Sequence, residues 1–303
     1  METFDATETA ARLPYAALAD AIRRVALARH SDTVQAPPRL ALPLANRSVL
    51  LVMPASDGEL AITKLVTVHP ENPGRGRPTI QGEVVVMEAS TGTRLGLLDG
   101  ATVTARRTAA LSLLAARELA PHPDGPLLIV GAGAQGRSHL EAFHEGLGIS
   151  KVFVASRTSA GAESLVARAE DLGMEATVVA DPSEALAEVR LVVTVTTSRE
   201  PVLPGAVAEG TFVAAVGSFE PGAAELPPEL FSGATVVVDT MEGAKEEAGD
   251  LIQAEEAGAF RWEDAMELEE ILRGRGRPSG AAVFKSVGHS LWDLAAARTA
   301  FPR

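Results

Sequence analysis

The stretch Pro126-Leu-Leu-Ile-Val-Gly-Ala-Gly-Ala-Gln-Gly-Arg-Ser-His-Leu-Glu-Ala-Phe143 carries three signals in a fixed order. Leu127 to Val130 form an apolar run of strand type. Gly131-Ala-Gly133-Ala-Gln-Gly136 follows, and Leu140, Phe143 and Leu147 then recur at helical spacing. Strand, glycine turn and helix in this order make a dinucleotide-binding unit. Gly131 permits the tight turn, Gly133 lets the backbone approach a pyrophosphate, and Gly136 lets the helix pack closely on the strand. The N–H groups opening the helix, at Ala134, Gln135 and Gly136, point to the phosphates.

The next strand, Lys151-Val-Phe-Val-Ala-Ser156, indicates which dinucleotide. Ser156 follows Gly136 by 20 positions, where a carboxylate would hold a free ribose 2′-hydroxyl. The chain reads Ser156-Arg157-Thr158 instead. No acid repels a 2′-phosphate, Arg157 can clamp one, and Ser156 and Thr158 can hydrogen-bond it. NADP(H) is therefore expected, with NAD(H) the weaker alternative.

Working outward, strand-like runs at Leu127–Val130, Val152–Ala155, Ala176–Val179, Leu191–Thr196, Phe212–Ala215 and Thr235–Val238 alternate with helical segments. That alternation predicts an α/β fold, a Rossmann doubly wound parallel sheet. Before it, a helix is expected over Tyr15–Ala28. Strands are expected over Ser48–Pro54, Leu60–Val68, Gly82–Ala89 and Arg94–Asp99, and a helix over Ala101–Leu119. The first third thus reads as a smaller, antiparallel α+β domain. The acid-rich segment Met241–Arg273 reads as helical with a solvated outer face.

A hydrophobic content of 46% with 22% charged residues describes a folded chain, and 303 residues suffice for two domains. The net charge of −13 argues against nucleic acid or an anionic membrane as partner. The N-terminus lacks the basic start and apolar core of a signal peptide, and no run is long enough to span a bilayer. With no cysteine there are no disulfides or thiolate metal sites, and a cytoplasmic location is expected. His139 and His144 lie on different faces of one helix, so no metal site is read there.

In so acidic a chain, cations in apolar surroundings are conspicuous. Lys64 lies mid-strand among Ala61, Ile62, Leu65 and Val66. Arg107 stands in the N-terminal part of its helix, where the dipole disfavours it. Both suit a desolvated substrate carboxylate, with Arg39 as a weaker third. Thr108, read as part of the same helix start, would meet the diphosphate. Asp239 ends the run Val236–Val238 at the carboxyl edge of the parallel sheet, where open α/β folds place ligands. Thr196, Val216 and Gly217 end further strands on that edge.

Five segments together resemble the ornithine cyclodeaminase/mu-crystallin family over nearly the whole chain. They are Ala61–Asn72 with its lysine before His-Pro-Glu-Asn, the Arg107-Thr-Ala-Ala segment, the glycine turn, Val236–Leu251, and Phe284-Lys-Ser-Val-Gly288. The resemblance implies an NAD(P)-dependent enzyme acting on small amino or imino acids. It also implies a homodimer whose discontinuous domain, residues 1–120 with 289–303, binds substrate and dimerises, while residues 121–288 bind the cofactor. Lys64, Arg107 and Arg39 would then grip the carboxylate, and Asp239 would transfer a proton or orient a water. Val287 and Gly288 would lie against the nicotinamide.

One departure separates activities within the family. Ornithine cyclodeaminases resembling this chain carry a glutamate for the substrate's distal ammonium where Leu51 stands here. An apolar side chain cannot offset a buried ammonium. A compact cyclic imino acid, its ring resting on Met53, fits better. This pocket, Arg157 and Gly217-Ser-Phe-Glu-Pro-Gly-Ala-Ala-Glu-Leu226 resemble the branch of Δ1-pyrroline-2-carboxylate and Δ1-piperideine-2-carboxylate reductases. Lys64 and Asp239 are the catalytic candidates. The alternatives are a cyclodeaminase, an alanine dehydrogenase, and a non-catalytic ligand-binding protein.

Overall fold

The computed structural model describes residues 2–31, 33–276 and 280–302. The chain forms two compact units, residues 1–111 with 289–303 and residues 112–288. It is an α/β protein with a parallel sheet in one unit and a mixed sheet in the other. Among the described residues no helix is long and apolar enough to cross a membrane.

The first unit begins with β1 (Glu2–Thr3), α1 (Ala6–Ala11) and α2 (Tyr15–Ala28). Next come β2 (Leu40–Pro43), β3 (Val49–Ser56), β4 (Leu60–Val68), β5 (Ile80–Glu88) and β6 (Arg94–Asp99), and then α3 (Gly100–Leu119), which crosses the division between the units. The sheet order is β1-β6-β5-β4-β3-β2, antiparallel except where β1 joins β6. Period-two alternation divides the sheet into two faces. Leu51, Met53, Ile62, Lys64, Val66, Val84 and Leu98 are buried on one. On the other, Leu40 pairs with Val52 and Val52 with Leu65, and Leu40 and Leu65 are exposed. The inner face packs against the C-terminal helix Ser290–Ala300, which also contacts α2 through its buried Leu18, Ile22 and Val25.

The second unit holds β7 (Leu127–Val130), α4 (Ala134–Leu147), β8 (Lys151–Ala155), α5 (Ser159–Asp171), β9 (Glu175–Val178), β10 (Leu191–Thr194), β11 (Phe212–Ala215) and β12 (Thr235–Val238). It closes with α6 (Met241–Glu247), α7 (Gly249–Glu256), β13 (Met266–Glu267), α8 (Leu268–Leu272) and β14 (Ala282–Lys285). All eight strands are parallel, in the order β13-β12-β14-β11-β10-β7-β8-β9. β7, β10, β11 and β14 are buried at every position, the continuous apolar pattern of strands covered on both faces.

Two sequence expectations are corrected here. Six parallel strands were expected and eight form: β14 inserts between β11 and β12, and β13 extends the edge. Ala282-Val-Phe-Lys285 is as short as other strands of this sheet, but it ends in a lysine, which suggests a surface although Lys285 is buried. The acid-rich segment is not one solvated helical face. It breaks at Ala248 (φ −79°, ψ 81°) and at Gly258 in the left-handed region, and Asp250 and Glu269 within it are buried.

Candidate active site

The glycine turn matches its expected mechanics. Gly131 has φ +113°, and a side chain there would come within 2.6 Å of the Val195 carbonyl. A Cβ on Gly136 would lie 2.1 Å from the Gly131 carbonyl oxygen, so only glycine lets α4 sit this close to the turn. Gly133 differs. A Cβ there would meet nothing within 4 Å, so its constraint is not internal packing. Gly133 is also the N-cap of α4 and offers no side-chain cap, which leaves the opening N–H groups for an anion. His139 steadies this helix start. It bonds the Gln135 carbonyl through Nδ1 at 2.8 Å and Ser112 Oγ through Nε2 at 2.9 Å. Those partners require a proton on Nδ1, with Nε2 accepting from the serine. Burial lowers the His139 pKa to about 4, which keeps the ring neutral.

The chain reverses direction in the sheet between β7 and β10, the switch point at which doubly wound folds bind ligands. At the carboxyl ends of β7, β8, β9 and β10 a cavity of about 930 Å³ is lined by residues 130–133, 155–158, 180–183, 195–198 and 201–204. Arg157 is exposed at this cavity, half-buried Ser156 lies beside it, and Thr158 caps α5 by accepting from Gly161 N–H at 3.3 Å. The residues present fit a dinucleotide: open space at Gly133 and an uncapped helix start, with Arg157 and Asp181 both lining the cavity beyond them.

At the carboxyl end of β12, Asp239 is buried. Its Oδ1 accepts from Thr240 N–H at 2.9 Å. Its Oδ2 accepts from Ser286 Oγ–H at 2.7 Å and Gly288 N–H at 3.0 Å. Gly288 reaches this position at φ +84°. Thr240, not Asp239, is the N-cap residue of α6. Three donors converging on one carboxyl group hold it in a single orientation.

In the first unit Lys64 sits in a buried row across the sheet, opposite Met53 on β3 and Val84 on β5. Its ammonium reaches the carboxylate of Asp293 on the C-terminal helix at 2.8 Å, and Arg107 Nε lies 3.5 Å from the same carboxylate. Sequence reasoning missed Asp293. Nothing in Trp292-Asp-Leu-Ala295 distinguishes it from a surface acid, and only the fold buries it. Burial lowers the Lys64 pKa to about 8; Asp293 opposes the shift, and Arg107 and half-buried Arg39 add to it. Leu51 and Met53 form a small apolar cluster with Val66 on the same sheet face.

Helix α3 begins at Gly100, so Arg107 and Thr108 stand two turns inside it rather than at its start. The Thr108 N–H is held in the helix ladder, which leaves its hydroxyl as the group expected to meet a diphosphate. Arg107 is explained by its buried carboxylate partner and not by the helix dipole. On the sheet edge, Thr196 N–H and Gly217 N–H donate to the buried carboxylate of Glu225, at 2.6 and 2.7 Å, so these amides face inward although Thr196 also lines the cavity.

A doubly wound dinucleotide fold, together with a second unit that buries Lys64 on its sheet and Arg107 on α3, defines a class of nicotinamide-linked enzymes. The chain belongs to the ornithine cyclodeaminase/mu-crystallin family, which it matches over residues 3–303. It is 40% identical to Delta(1)-pyrroline-2-carboxylate reductase 1 of Burkholderia multivorans, over 98% of this chain and 94% of that one. Its structure superposes with a TM-score of 0.92 on the Thermococcus litoralis Delta(1)-pyrroline-2-carboxylate reductase in complex with NADH and L-proline. That match is 29% identical and covers 99% of this chain and 96% of the other. An archaeal alanine dehydrogenase, a dimer with bound NAD, has a TM-score of 0.87 at 29% identity, covering 99% and 93% of the two chains.

Two outcomes check the site as described. Gly133→Ala should fold like the parent but lose at least about tenfold in dinucleotide affinity, while Gly136→Ala should lower stability itself by about 1–3 kcal/mol. Calorimetric titration and urea unfolding separate the two effects. Asp293→Ala should cost about 3–5 kcal/mol in urea unfolding, because it leaves Lys64 and Arg107 buried without their carboxylate. A loss below 1 kcal/mol would assign Asp293 no such role.

Proposed function

We propose that this protein is an NADPH-dependent ketimine reductase that converts Δ1-pyrroline-2-carboxylate to L-proline and its six-membered homologue, Δ1-piperideine-2-carboxylate, to L-pipecolate. The observation carrying this reading is a pair of buried cations, Lys64 and Arg107, in a unit whose neighbouring wall is apolar. Leu51 and Met53 stand on the same sheet face as Lys64, with an apolar residue where a distal ammonium would need an acid. A cyclic imino acid with one carboxylate suits such surroundings, whereas the distal ammonium of ornithine would be buried beside Leu51. The names of the relatives support the same class of reaction.

Residues 130–133 and 155–158 would hold NADPH, which would supply hydride chemistry for the imine carbon. Arg157 is suited to its 2′-phosphate. Lys64 and Arg107 hold the substrate carboxylate, with Arg39 adding positive potential. Asp239, oriented by Thr240, Ser286 and Gly288, serves the proton at the imine nitrogen, whose protonation makes the adjacent carbon more electrophilic. The protein acts as a homodimer. The outer face of the first unit's sheet, with Leu40 at 58%, Leu42 at 50% and Leu65 at 46% exposure, supplies an apolar surface for it.

The deciding assay follows oxidation of NADPH and NADH with pyrroline-2-carboxylate, piperideine-2-carboxylate and pyruvate plus ammonia, and follows ammonia release from ornithine. Cyclic imines should be reduced, with NADPH at least about tenfold more efficient than NADH, and Ser156→Asp combined with Arg157→Ala should shift preference toward NADH. Ammonia and proline formed from ornithine without net nicotinamide turnover would refute the reading. For pH, the sign follows from Lys64: only its protonated form grips a carboxylate. Substrate KM should therefore rise as pH climbs through about 8, and Lys64→Met should abolish this limb, with KM below pH 8 raised toward the parent's high-pH value.

A further inference from the structure

Glu225, Asp250 and Lys285 are buried in the second unit, outside the residues given catalytic roles above. Each comes from a different segment, and in the fold they meet. Glu225 Oε1 accepts from Thr196 N–H at 2.6 Å; Oε2 accepts from Gly217 N–H at 2.7 Å and from Thr194 Oγ–H at 3.0 Å. One side chain thus ties the loop after β10 to the loop after β11. Asp250, in the first turn of α7, accepts through Oδ1 from the N–H groups of Glu225 (2.6 Å) and Leu226 (2.9 Å). Its Oδ2 lies 2.6 Å from Lys285 Nζ. Lys285 Nζ also donates to the Ser218 carbonyl at 2.7 Å, which returns to the loop after β11. The contacts close a ring.

The ring continues to Asp239. Lys285 ends β14, its carbonyl accepts the Asp239 N–H at 3.2 Å, and its neighbours Ser286 and Gly288 hold the Asp239 carboxylate. Two glycines make room for it. A Cβ on Gly217 would lie 2.5 Å from Glu225 Oε1, and one on Gly249 would lie 2.2 Å from the Ala223 carbonyl.

Stability alone is a weak reason for such a cluster, because well-packed apolar residues often replace buried ion pairs without loss. Two carboxyl groups face one ammonium, burial pushes the Glu225 carboxyl above its ordinary pKa, and the backbone N–H groups of Thr196, Gly217, Glu225 and Leu226 donate into the cluster. A carboxylate that spans two loops fixes their separation in a way an apolar contact does not. Those loops lie at the carboxyl ends of β10 and β11, on the opposite side of the switch point from β8 and β9, where Ser156 and Arg157 sit. In a doubly wound fold that side takes the nicotinamide half of the dinucleotide.

We infer that Glu225, anchored by Asp250 and Lys285, is a positioning residue that fixes the two loops and the Asp239 strip for the nicotinamide half of the cofactor. This rests on the dinucleotide reading of the cavity. It does not depend on which imino acid is reduced.

The test is calorimetric titration of the parent and of Glu225→Gln with NADPH and with adenosine 2′,5′-bisphosphate, which lacks the nicotinamide half. Glutamine keeps the volume but turns an NH2 toward one loop's N–H. The variant should bind NADPH at least about tenfold more weakly and the bisphosphate within about twofold of the parent. Unchanged NADPH affinity overturns the inference, and so does equal weakening for both ligands, which marks general loss of structure. Should Glu225→Gln fail to fold, Glu225→Asp, one methylene too short to span both loops, is held to the same two-ligand criterion. If that also fails to fold, the residue is structural and the inference falls. A parent that binds neither ligand refutes the dinucleotide reading itself. A parent that binds both while reducing no imine refutes only the substrate assignment.

Discussion

Much of the chemistry in this protein depends on how an acidic chain keeps charged groups out of water. Lys64 lies in an apolar row between Met53 and Val84, where a lone ammonium would be strongly disfavoured. Asp293 makes the position tenable, at 2.8 Å from the ammonium, and also draws on Arg107. One carboxylate thus faces two cations, and the same contacts that permit their burial fix where the two positive groups stand.

The second unit solves a related problem with opposite sign. Asp239, Glu225 and Asp250 are buried acids at the carboxyl ends of parallel strands or in the segments that follow them, and each accepts backbone N–H groups of neighbouring loops. Backbone donors at strand ends and helix starts are unsatisfied by sheet or helix, so a buried carboxylate there serves both needs. The glycines at 131, 136, 217 and 249 are the steric counterpart, since an added Cβ at each would lie within 2.6 Å of a backbone oxygen. Gly133 is the exception, and its open space is what a pyrophosphate requires.

Much of this was legible in the order of residues. The strand, glycine turn and helix at 126–143 are local and periodic, and α2, β4 and β6 have the bounds their apolar patterns indicate. The lack of an acid at Ser156-Arg157 and the apolar residue at Leu51 are single-position facts that need no coordinates. The family was equally legible, because its five segments are short and specific. The sequence by itself therefore determined the fold class and a nicotinamide cofactor, which rest on local pattern, and it nominated the candidate residues by their identity.

Only the tertiary structure decided the partners. Asp293 meets Lys64 across 229 positions, and Lys285 meets the Ser218 carbonyl across 67. No periodicity records such separations, and an isolated Asp or Lys in a mixed segment reads as solvated. The same cause moves the helix start: the Arg107-Thr-Ala-Ala segment reads as an opening turn, but the helix starts at Gly100, and only the backbone shows that the Thr108 N–H is already used. Pattern reports which face a residue occupies. Pairing of charges depends on which distant face it meets, and that is settled when strands and helices from separate segments pack together.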